Sequence, residues 1–279
     1  MKQNFLKVAA AFLVFFGLFL MACRKDVPEK TAYKDEIEHL VNEWGFDGSK
    51  IEVRDGNLVV EKDIAFPLAN FWEDYGRAPQ NHPTDSTMVE DRRHFRKSYL
   101  VSTYSNSVRW ITVAVSPDVH SNWKFAVQDA INEWNALNGK IKFQYVVANS
   151  CPANGITVSG VAWGAGTFGL GSNPTSSGNP GPTLQLNTFY NSNVPPPPYT
   201  VNNWATATMK KLVAAHELGH CIGFNHTDSF EGTLIQTAYY SCNNFDDPNS
   251  VMRSGNLNLG YWNGFSSCDV VAFKKLYGW

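Results

Sequence analysis

The sequence predicts an α+β fold: a twisted mixed sheet backed by a helix, with further helices after it and a small α+β segment before it. Residues 108–190 contain four apolar, β-rich stretches, and a helical pattern lies between the first two. Residues 203–223 form another helical pattern, which carries two histidines one helical turn apart. Near the start, two short apolar runs flank Asp55-Gly56-Asn57, a sequence typical of a β-hairpin turn.

Composition limits the classes of function. The chain has 279 residues, 43% of them hydrophobic, which is enough to bury a sizeable core in one or two domains. Only 17% of the residues are charged and the formal net charge is −2, so the chain has no excess of positive charge that would favour binding to nucleic acid. A polar, weakly charged surface of this kind is typical of an extracytoplasmic protein.

The first 22 residues have the pattern of an export signal. Lys2 and Lys7 give a positively charged start, and the apolar run over residues 8–21 is too short for a membrane span. The run ends in Leu20-Met21-Ala22-Cys23, which resembles the lipobox of bacterial lipoproteins. This resemblance implies a lipid on Cys23 and a membrane anchor in the bacterial outer membrane. A plain secretory signal that ends by chance at a cysteine is the alternative.

The next residues, Arg24-Lys25-Asp26, resemble the short charged signals that direct some bacterial lipoproteins to the cell surface. Residues 23–97 are then predicted to be a small unit followed by a linker. Residues 33–44 show helical spacing, and the hairpin follows. Residues 82–97 are polar and charged, so we expect an exposed linker that proteases can cut near residues 92–97.

The central sheet is predicted from four stretches with alternating or apolar patterns. They are residues 108–115, 141–147, 156–163 and 183–190. Residues 123–137 form the backing helix, because their apolar side chains recur on one face. Residues 164–182 and 193–199 are rich in Gly, Ser, Asn or Pro and are expected to be surface loops. Residues 266–277 predict a last helix, with Ser266 and Asp269 at the spacing of a capping box.

The helix over residues 203–223 carries the chemistry. It leads into His216-Glu217-Leu218-Gly219-His220-Cys221-Ile222-Gly223-Phe224-Asn225-His226, the pattern H-E-x-x-H-x-x-G-x-x-H. His216 and His220 lie on one helix face and can bind one cation. Glu217 points about 100° round the helix, where its carboxylate can hold a water instead of binding the metal. Gly223 allows a turn that brings back His226. Three imidazoles with an open fourth position are typical of catalytic zinc.

A second feature supports this site. Met252 lies in Asp247-Pro248-Asn249-Ser250-Val251-Met252, where turn-forming residues surround one apolar methionine. Alone, it would be an ordinary core residue. After the histidine motif, it resembles the Met-turn of the metzincin metallopeptidases, which lies under the three-histidine site.

These motifs resemble the bacterial HEIGH-type metallopeptidases within the metzincins, specifically in the last third of the chain and in outline from about residue 101. The resemblance implies a metzincin-like catalytic domain over residues 98–279 with one Zn²⁺ bound by His216, His220 and His226. It also implies Glu217 as the catalytic base and a protein or peptide as the substrate. We expect a monomer. In metzincins a strand at the border of the cleft pairs with the substrate, and residues 183–190 are expected to be that edge.

The sequence departs from astacin-type relatives at two positions. They carry a glutamate directly after the third histidine and a tyrosine two residues after the methionine, where this chain has Thr227 and Ser254. An oxyanion-stabilising tyrosine cannot be carried over by position, and Tyr261 is the nearest substitute. Asp228 either accepts a hydrogen bond from a ligand imidazole or stabilises a turn.

The resemblance also implies that residues 23–97 include a propeptide. In metzincins a cysteine or an aspartate of the propeptide often blocks the zinc. Cys23 is assigned to the lipid and the next cysteine is Cys151, which leaves an aspartate. Asp63, after the hairpin, is the first candidate for latency and Asp74 the second. Ordinary surface carboxylates remain the alternative.

Four cysteines remain after Cys23: Cys151, Cys221, Cys242 and Cys268. In an exported chain they predict two disulfides, and three pairings are open.

The sequence therefore predicts a zinc endopeptidase that is lipid-anchored and made as a latent precursor. One alternative is a surface binding lipoprotein on a metzincin scaffold that no longer cleaves, but an intact Glu217 argues against it. The other is a zinc hydrolase of another class, and Gly223, His226 and Met252 favour a peptidase.

Overall fold

The computed structural model describes residues 37–41, 49, 51–54, 56–60, 63–68, 94–151, 154–195, 203–228, 232–237, 242, 247–254 and 262–279. The predicted export signal, Cys23, Asp74 and Tyr261 lie outside these residues, so the expectations for them stay predictions. The chain divides into Met1–Ile37 and a compact unit, Glu38–Trp279, which contains all the features below. Within the described part of the chain, no helix has the length and apolar character that a membrane crossing requires.

Ten strands occur among the described residues. In chain order they are β1 (Glu52–Arg54), β2 (Asn57–Val60), β3 (Ile64–Pro67), β4 (Phe95–Arg96), β5 (Arg109–Val115), β6 (Ile141–Val147), β7 (Ile156–Val161), β8 (Gly169–Ser172), β9 (Thr183–Asn187) and β10 (Thr233–Leu234). Eight form one sheet in the order β1-β2-β3-β8-β9-β7-β5-β6, and β4 pairs with β10 separately. The sheet is mixed, because β5, β6, β7 and β9 run parallel whereas β8 is antiparallel to β9.

Three long helices follow in the described fold, α1 (Ser121–Ala136), α2 (Ala207–Ile222) and α3 (Ser267–Tyr277), and residues 37–41 are also helical. Helix α1 buries its apolar face, which includes Trp123, Val127 and Trp134. Trp134 joins α1 to α2, since its indole N–H donates to the Ala215 carbonyl at 3.0 Å. Helix α3 begins with the predicted capping box, in which the Ser266 and Asp269 side chains each accept a backbone N–H of the other residue. The predicted α+β class is confirmed.

Two strand predictions were wrong. Strand β9 lies between β7 and β8, so residues 183–190 are not an edge of the sheet. The chain also leaves the strand at Asn187 for a 3₁₀ turn over Thr188–Tyr190, where the Asn187 side chain accepts the Phe189 N–H. Strand β8 was predicted to be loop, because two of its four residues are glycines and glycine is depleted in strands.

The N-terminal strands are part of the main sheet. β1, β2 and β3 form an antiparallel meander, and β3 then pairs in parallel with β8, with Ile64 opposite Gly171. The described end of the predicted linker is also built into the fold. His94 and Lys97 are only 2% and 3% exposed, so the expectation of an exposed linker was wrong for residues 94–97.

One disulfide occurs in the described residues, between Cys242 and Cys268. The expectation of two was wrong, since Cys151 and Cys221 both remain thiols. The two side chains point at different parts of the sheet: Cys151 Sγ lies 3.2 Å from the Thr112 carbonyl, and Cys221 Sγ lies 3.5 Å from the Thr183 carbonyl. Burial raises the pKa of both thiols, which keeps them protonated near neutral pH.

Candidate active site

Helix α2 and the turn after it bring three histidines together. Thr206 caps the start of the helix by accepting the Met209 N–H. Gly223 ends it with a φ of 107°, and a Cβ there would lie 2.7 Å from Leu100 Cδ2. The chain therefore turns back over the last helical turn, and His226 joins His216 and His220 in the interior. All three side chains are buried.

The three Nε2 atoms converge on one point. They are separated by 3.0 Å (His216 to His220), 3.1 Å (His216 to His226) and 3.2 Å (His220 to His226). His216 Nδ1 lies 2.8 Å from the Val251 carbonyl and His220 Nδ1 lies 3.0 Å from the Phe224 carbonyl. A carbonyl only accepts, so these Nδ1 atoms carry the protons and the Nε2 lone pairs point inward.

This geometry fits a zinc ion. Lone pairs that face one another at such distances repel unless a cation lies between them. Zn–N distances of about 2.0–2.1 Å in a tetrahedral site place two ligand nitrogens roughly 3.3 Å apart. The observed separations, 3.0 to 3.2 Å, are close to that value.

Glu217 is fully buried beside the three imidazoles. Within the described part of the chain, neither of its carboxylate oxygens has a hydrogen-bond partner. Burial and then the charge of Asp63 raise the pKa of Glu217 well above its usual range, against an opposing contribution from the charge of His226. A carboxylate of this kind can take up a proton during a reaction.

Two glycines of β8 let the sheet lie directly on α2 at Glu217. A Cβ at Gly169 would lie 2.8 Å from Glu217 Cγ, and a Cβ at Gly171 would lie 2.5 Å from the Glu217 carbonyl oxygen. The strand thus needs glycine at these two positions in order to cover the carboxylate. These glycines were missed as site residues, because the same composition is typical of a loop.

Asp63 lies against the histidines, directly before β3. Its Oδ2 is 3.2 Å from His226 Nε2 and 3.5 Å from His216 Nε2. Burial acts to raise the pKa of Asp63, but the charge of His226 and contacts with the imidazoles of His216 and His226 lower it well below its usual range. Asp63 and the three histidines form one group whose ligand atoms lie within 4.8 Å of one another. The structure therefore brings a fourth candidate ligand to the site.

Met252 packs against α2 at Gly219, next to His220, and is 1% exposed. A Cβ at Gly219 would lie 2.4 Å from Met252 Sδ, so α2 carries a glycine where the methionine packs. The loop that carries His226 is bonded to the same turn, since the Thr227 N–H donates to the Met252 carbonyl at 3.1 Å. The turn around Met252 thus contacts both α2 and the loop that carries His226.

The comparison with known families decides what kind of protein this is. The sequence model of the dual-action HEIGH metallo-peptidases matches residues 82–242, more than half of the chain. The chain belongs to the HEIGH metallo-peptidases. This membership confirms the predicted resemblance and the prediction of a zinc metallopeptidase.

Three solved structures are similar in part to this HEIGH metallo-peptidase. High choriolytic enzyme 1, a hatching enzyme zinc-protease from Oryzias latipes (medaka fish), is 17% identical, with 64% of this chain and 94% of that chain covered and a TM-score of 0.36. One structure of myroilysin is 19% identical, with 64% and 97% covered and a TM-score of 0.37. Another is 16% identical, with 71% and 88% covered and a TM-score of 0.35. None of the curated proteins matches the chain.

In this HEIGH metallo-peptidase, Asp228 connects the loop that carries His226 to the turn that carries Met252. Asp228 accepts hydrogen bonds from the Ser254 N–H at 3.0 Å and from the Ser254 hydroxyl at 2.8 Å, so it ties the His226 loop to the Met-turn. Burial acts to raise the pKa of Asp228, but these two bonds lower it. The observed acceptors for the His216 and His220 rings are backbone carbonyls. Sequence reasoning missed them, because any residue type supplies a carbonyl.

Proposed function

We propose that this HEIGH metallo-peptidase is a zinc endopeptidase in which Glu217 is the general base, made as a latent precursor and anchored by lipid at Cys23. The observation that carries the catalytic part is the convergence of three Nε2 atoms beside a buried Glu217 carboxylate, which has no hydrogen-bond partner among the described residues. When bound, zinc supplies a Lewis acid that polarises the scissile carbonyl and acidifies a water molecule. His216, His220 and His226 would hold it.

Glu217 moves the proton in this proposal. Its carboxylate accepts a proton from the attacking water and then donates it to the leaving amine. The group must be basic enough to take the proton and acidic enough to release it near neutral pH, and burial acts towards the first of these by raising its pKa. Gly169 and Gly171 lie directly against Glu217, so this part of β8 keeps bulk water away from the carboxylate.

We expect the purified protein to contain about one zinc per chain, because three nitrogens converge on one point. Metal analysis after expression in zinc-replete medium measures this ratio. Casein digestion with and without a chelator then tests the activity of the cut form. Protein without zinc would contradict the proposed site, and zinc-loaded, cut protein that digests nothing would favour a binding function.

Latency is proposed from two contacts of the N-terminal strands. Asp63 Oδ2 lies where it can complete a four-ligand set with the histidines. Beside it, β3 pairs with β8, the strand that covers Glu217. The Gly171 N–H donates to the Asp63 carbonyl at 3.1 Å, so β8 also fixes the backbone that carries the carboxylate. An extended peptide substrate would need this side of β8 for strand pairing, and the N-terminal segment covers it.

The lipid anchor is proposed from the sequence around Cys23. We expect Cys23→Ser to move the protein from the detergent phase to the aqueous phase in phase partitioning, because acyl chains supply the membrane affinity. Cys151→Ser is the matched control, since it removes a thiol outside the lipobox, and it should partition like the parent. If the parent protein itself partitions into the aqueous phase, the proposal of a lipid anchor is wrong. The proposed location is the bacterial cell envelope, on the outer membrane.

A further inference from the structure

Residues 94–97, just before the predicted catalytic domain, are hydrogen-bonded to the loop between the second and third metal ligands. The Asn225 N–H donates to the Phe95 carbonyl at 2.9 Å, and the Lys97 N–H donates to the Gly223 carbonyl at 2.7 Å. On its other side, the segment pairs with β10, and the Ile235 N–H donates to the His94 carbonyl at 2.9 Å. The segment therefore lies between β10 and the turn at Gly223, with an isolated bridge from Arg96 to Phe224, and it shapes the turn that leads to His226.

Lys97 is connected to His226, the third proposed ligand, through the side-chain amide of Asn225. Its Nζ donates to Asn225 Oδ1 at 2.7 Å, and the same oxygen accepts the backbone N–H of His226 at 2.9 Å. Lys97 is 3% exposed, so this ammonium bonds the amide inside the protein, where such contacts are stronger than in water. The backbone position of His226 is thereby tied to Lys97.

His94 is connected to His216, the first proposed ligand, by hydrogen bonds that pass through Asp269 at the start of α3. Its Nε2 lies 2.8 Å from Asp269 Oδ1, which also accepts the Ser250 hydroxyl at 2.6 Å. Ser250 Oγ in turn accepts the Met252 N–H at 3.0 Å.

The Met252 N–H belongs to the same peptide group as the Val251 carbonyl, which accepts the proton of His216 Nδ1 at 2.8 Å. An unbroken series of hydrogen bonds therefore connects His94 to the His216 ring. Bonds in such a series polarise one another and fix the orientation of the last member.

We propose that residues 94–97 are a permanent part of the active enzyme, in which His94 and Lys97 are positioning residues for His216 and His226. The removable N-terminal segment then ends before His94, not at residue 97. This inference rests on the proposed zinc site. The family match agrees with it, since that match begins at residue 82 and includes these residues.

Cleavage after Arg96 or Lys97 would disrupt the site. A cut at either bond would place a new ammonium and a new carboxylate in a region where Phe95 and Lys97 are buried. It would also free the strand that orders the Gly223 turn. Cutting before His94 leaves every contact described above intact.

Limited trypsin digestion of the purified full-length protein tests the boundary. Trypsin cuts after arginine and lysine, so Arg92 and Arg93 serve as internal controls for Arg96 and Lys97. We expect the zinc-loaded, proteolytically active product to begin at Arg93 or His94, as read by intact mass. An active product that begins at Lys97 or Ser98 and retains its zinc, with the freed segment removed by gel filtration, would overturn the proposal.

Two variants of the full chain test the positioning role, with zinc affinity measured by chelator competition. Lys97→Met and His94→Gln should each weaken zinc binding by about ten- to a hundred-fold, the usual effect of losing a residue that orients a ligand. Lys124→Met, on the exposed side of α1, is the control and should bind zinc like the parent.

Thermal unfolding of the metal-free proteins separates positioning from simple packing. A packing role alone would lower the unfolding temperature of both variants and leave zinc affinity at the parental value, which would overturn the inference. If Lys97→Met does not fold, His94→Gln and the digestion of the parent decide the matter. A parent that binds no zinc would refute the proposed function itself, whereas a zinc-binding parent with equally tight variants would refute only the positioning role.

Discussion

Replacing Glu217 with glutamine or alanine should reduce peptide hydrolysis by the activated enzyme by about a hundred- to ten-thousand-fold, with zinc still bound. Both substitutions remove the base and leave the three histidines in place. Glutamine also keeps the size of the side chain, which matters because Gly169 and Gly171 leave little space around it. The turnover number should fall more than the Michaelis constant changes, since the carboxylate acts on the proton and not on substrate binding.

Glu133→Gln is a matched control for this experiment. Glu133 lies on α1, where it is partly exposed and pairs with Lys211. It should leave hydrolysis unchanged. Zinc content of each variant, measured beside its activity, separates loss of the base from loss of the metal. Near-parental turnover by a zinc-loaded Glu217→Gln enzyme would place the base elsewhere in the protein.

Replacing Asp63 with alanine should make the uncut precursor active. Asp63 Oδ2 lies 3.2 Å from His226 Nε2, where the carboxylate would take the fourth ligand position of the proposed zinc in place of water. Loss of one charged contact, worth about 1.5–3 kcal/mol, corresponds to a rise in activity of about ten- to a hundred-fold. Casein digestion by uncut protein measures this rise, with mass spectrometry to show that the N-terminal segment is still attached.

Asp118→Ala, at an exposed position, is the matched control and should remain as inactive as the parent precursor. Asp74→Ala tests the second candidate for latency in the same assay. An inactive, zinc-loaded Asp63→Ala precursor that becomes fully active on cutting would show that β3, by covering β8, is sufficient for inhibition without the carboxylate.

The parts of the fold that the sequence predicted correctly are those whose signal is local. Helix α1 was predicted because Trp123, Val127 and Trp134 recur at helical spacing, and each is buried on the same face. Strand β8 could not be predicted, because its glycines are required by the close approach of Glu217, which lies far away in sequence. The pairing of β3 with β8 is equally non-local and has no pattern within either strand.

The same distinction holds at the site. The spacing of His216, His220 and His226 is set by one helix and one turn, so the motif alone indicated that they converge. Residues 94–97 were predicted to be an exposed linker, because two of the four carry a fixed positive charge. The structure buries Lys97 by giving its ammonium an amide oxygen to bond, and single-sequence reasoning cannot foresee that partner.

The disulfide between Cys242 and Cys268 makes the proposed zinc site sensitive to the redox environment. Cys268 directly precedes Asp269, the carboxylate that holds the Met-turn through Ser250 and Val251. Closing a loop with a sequence separation of 26 stabilises the folded chain by about 3–4 kcal/mol in the chain-entropy model. In a compartment that keeps thiols reduced, this bond does not form and the support of His216 loses that stabilisation. With the proposed zinc site, a chain whose Cys242 and Cys268 are reduced should therefore hold zinc less firmly than the disulfide-bonded chain.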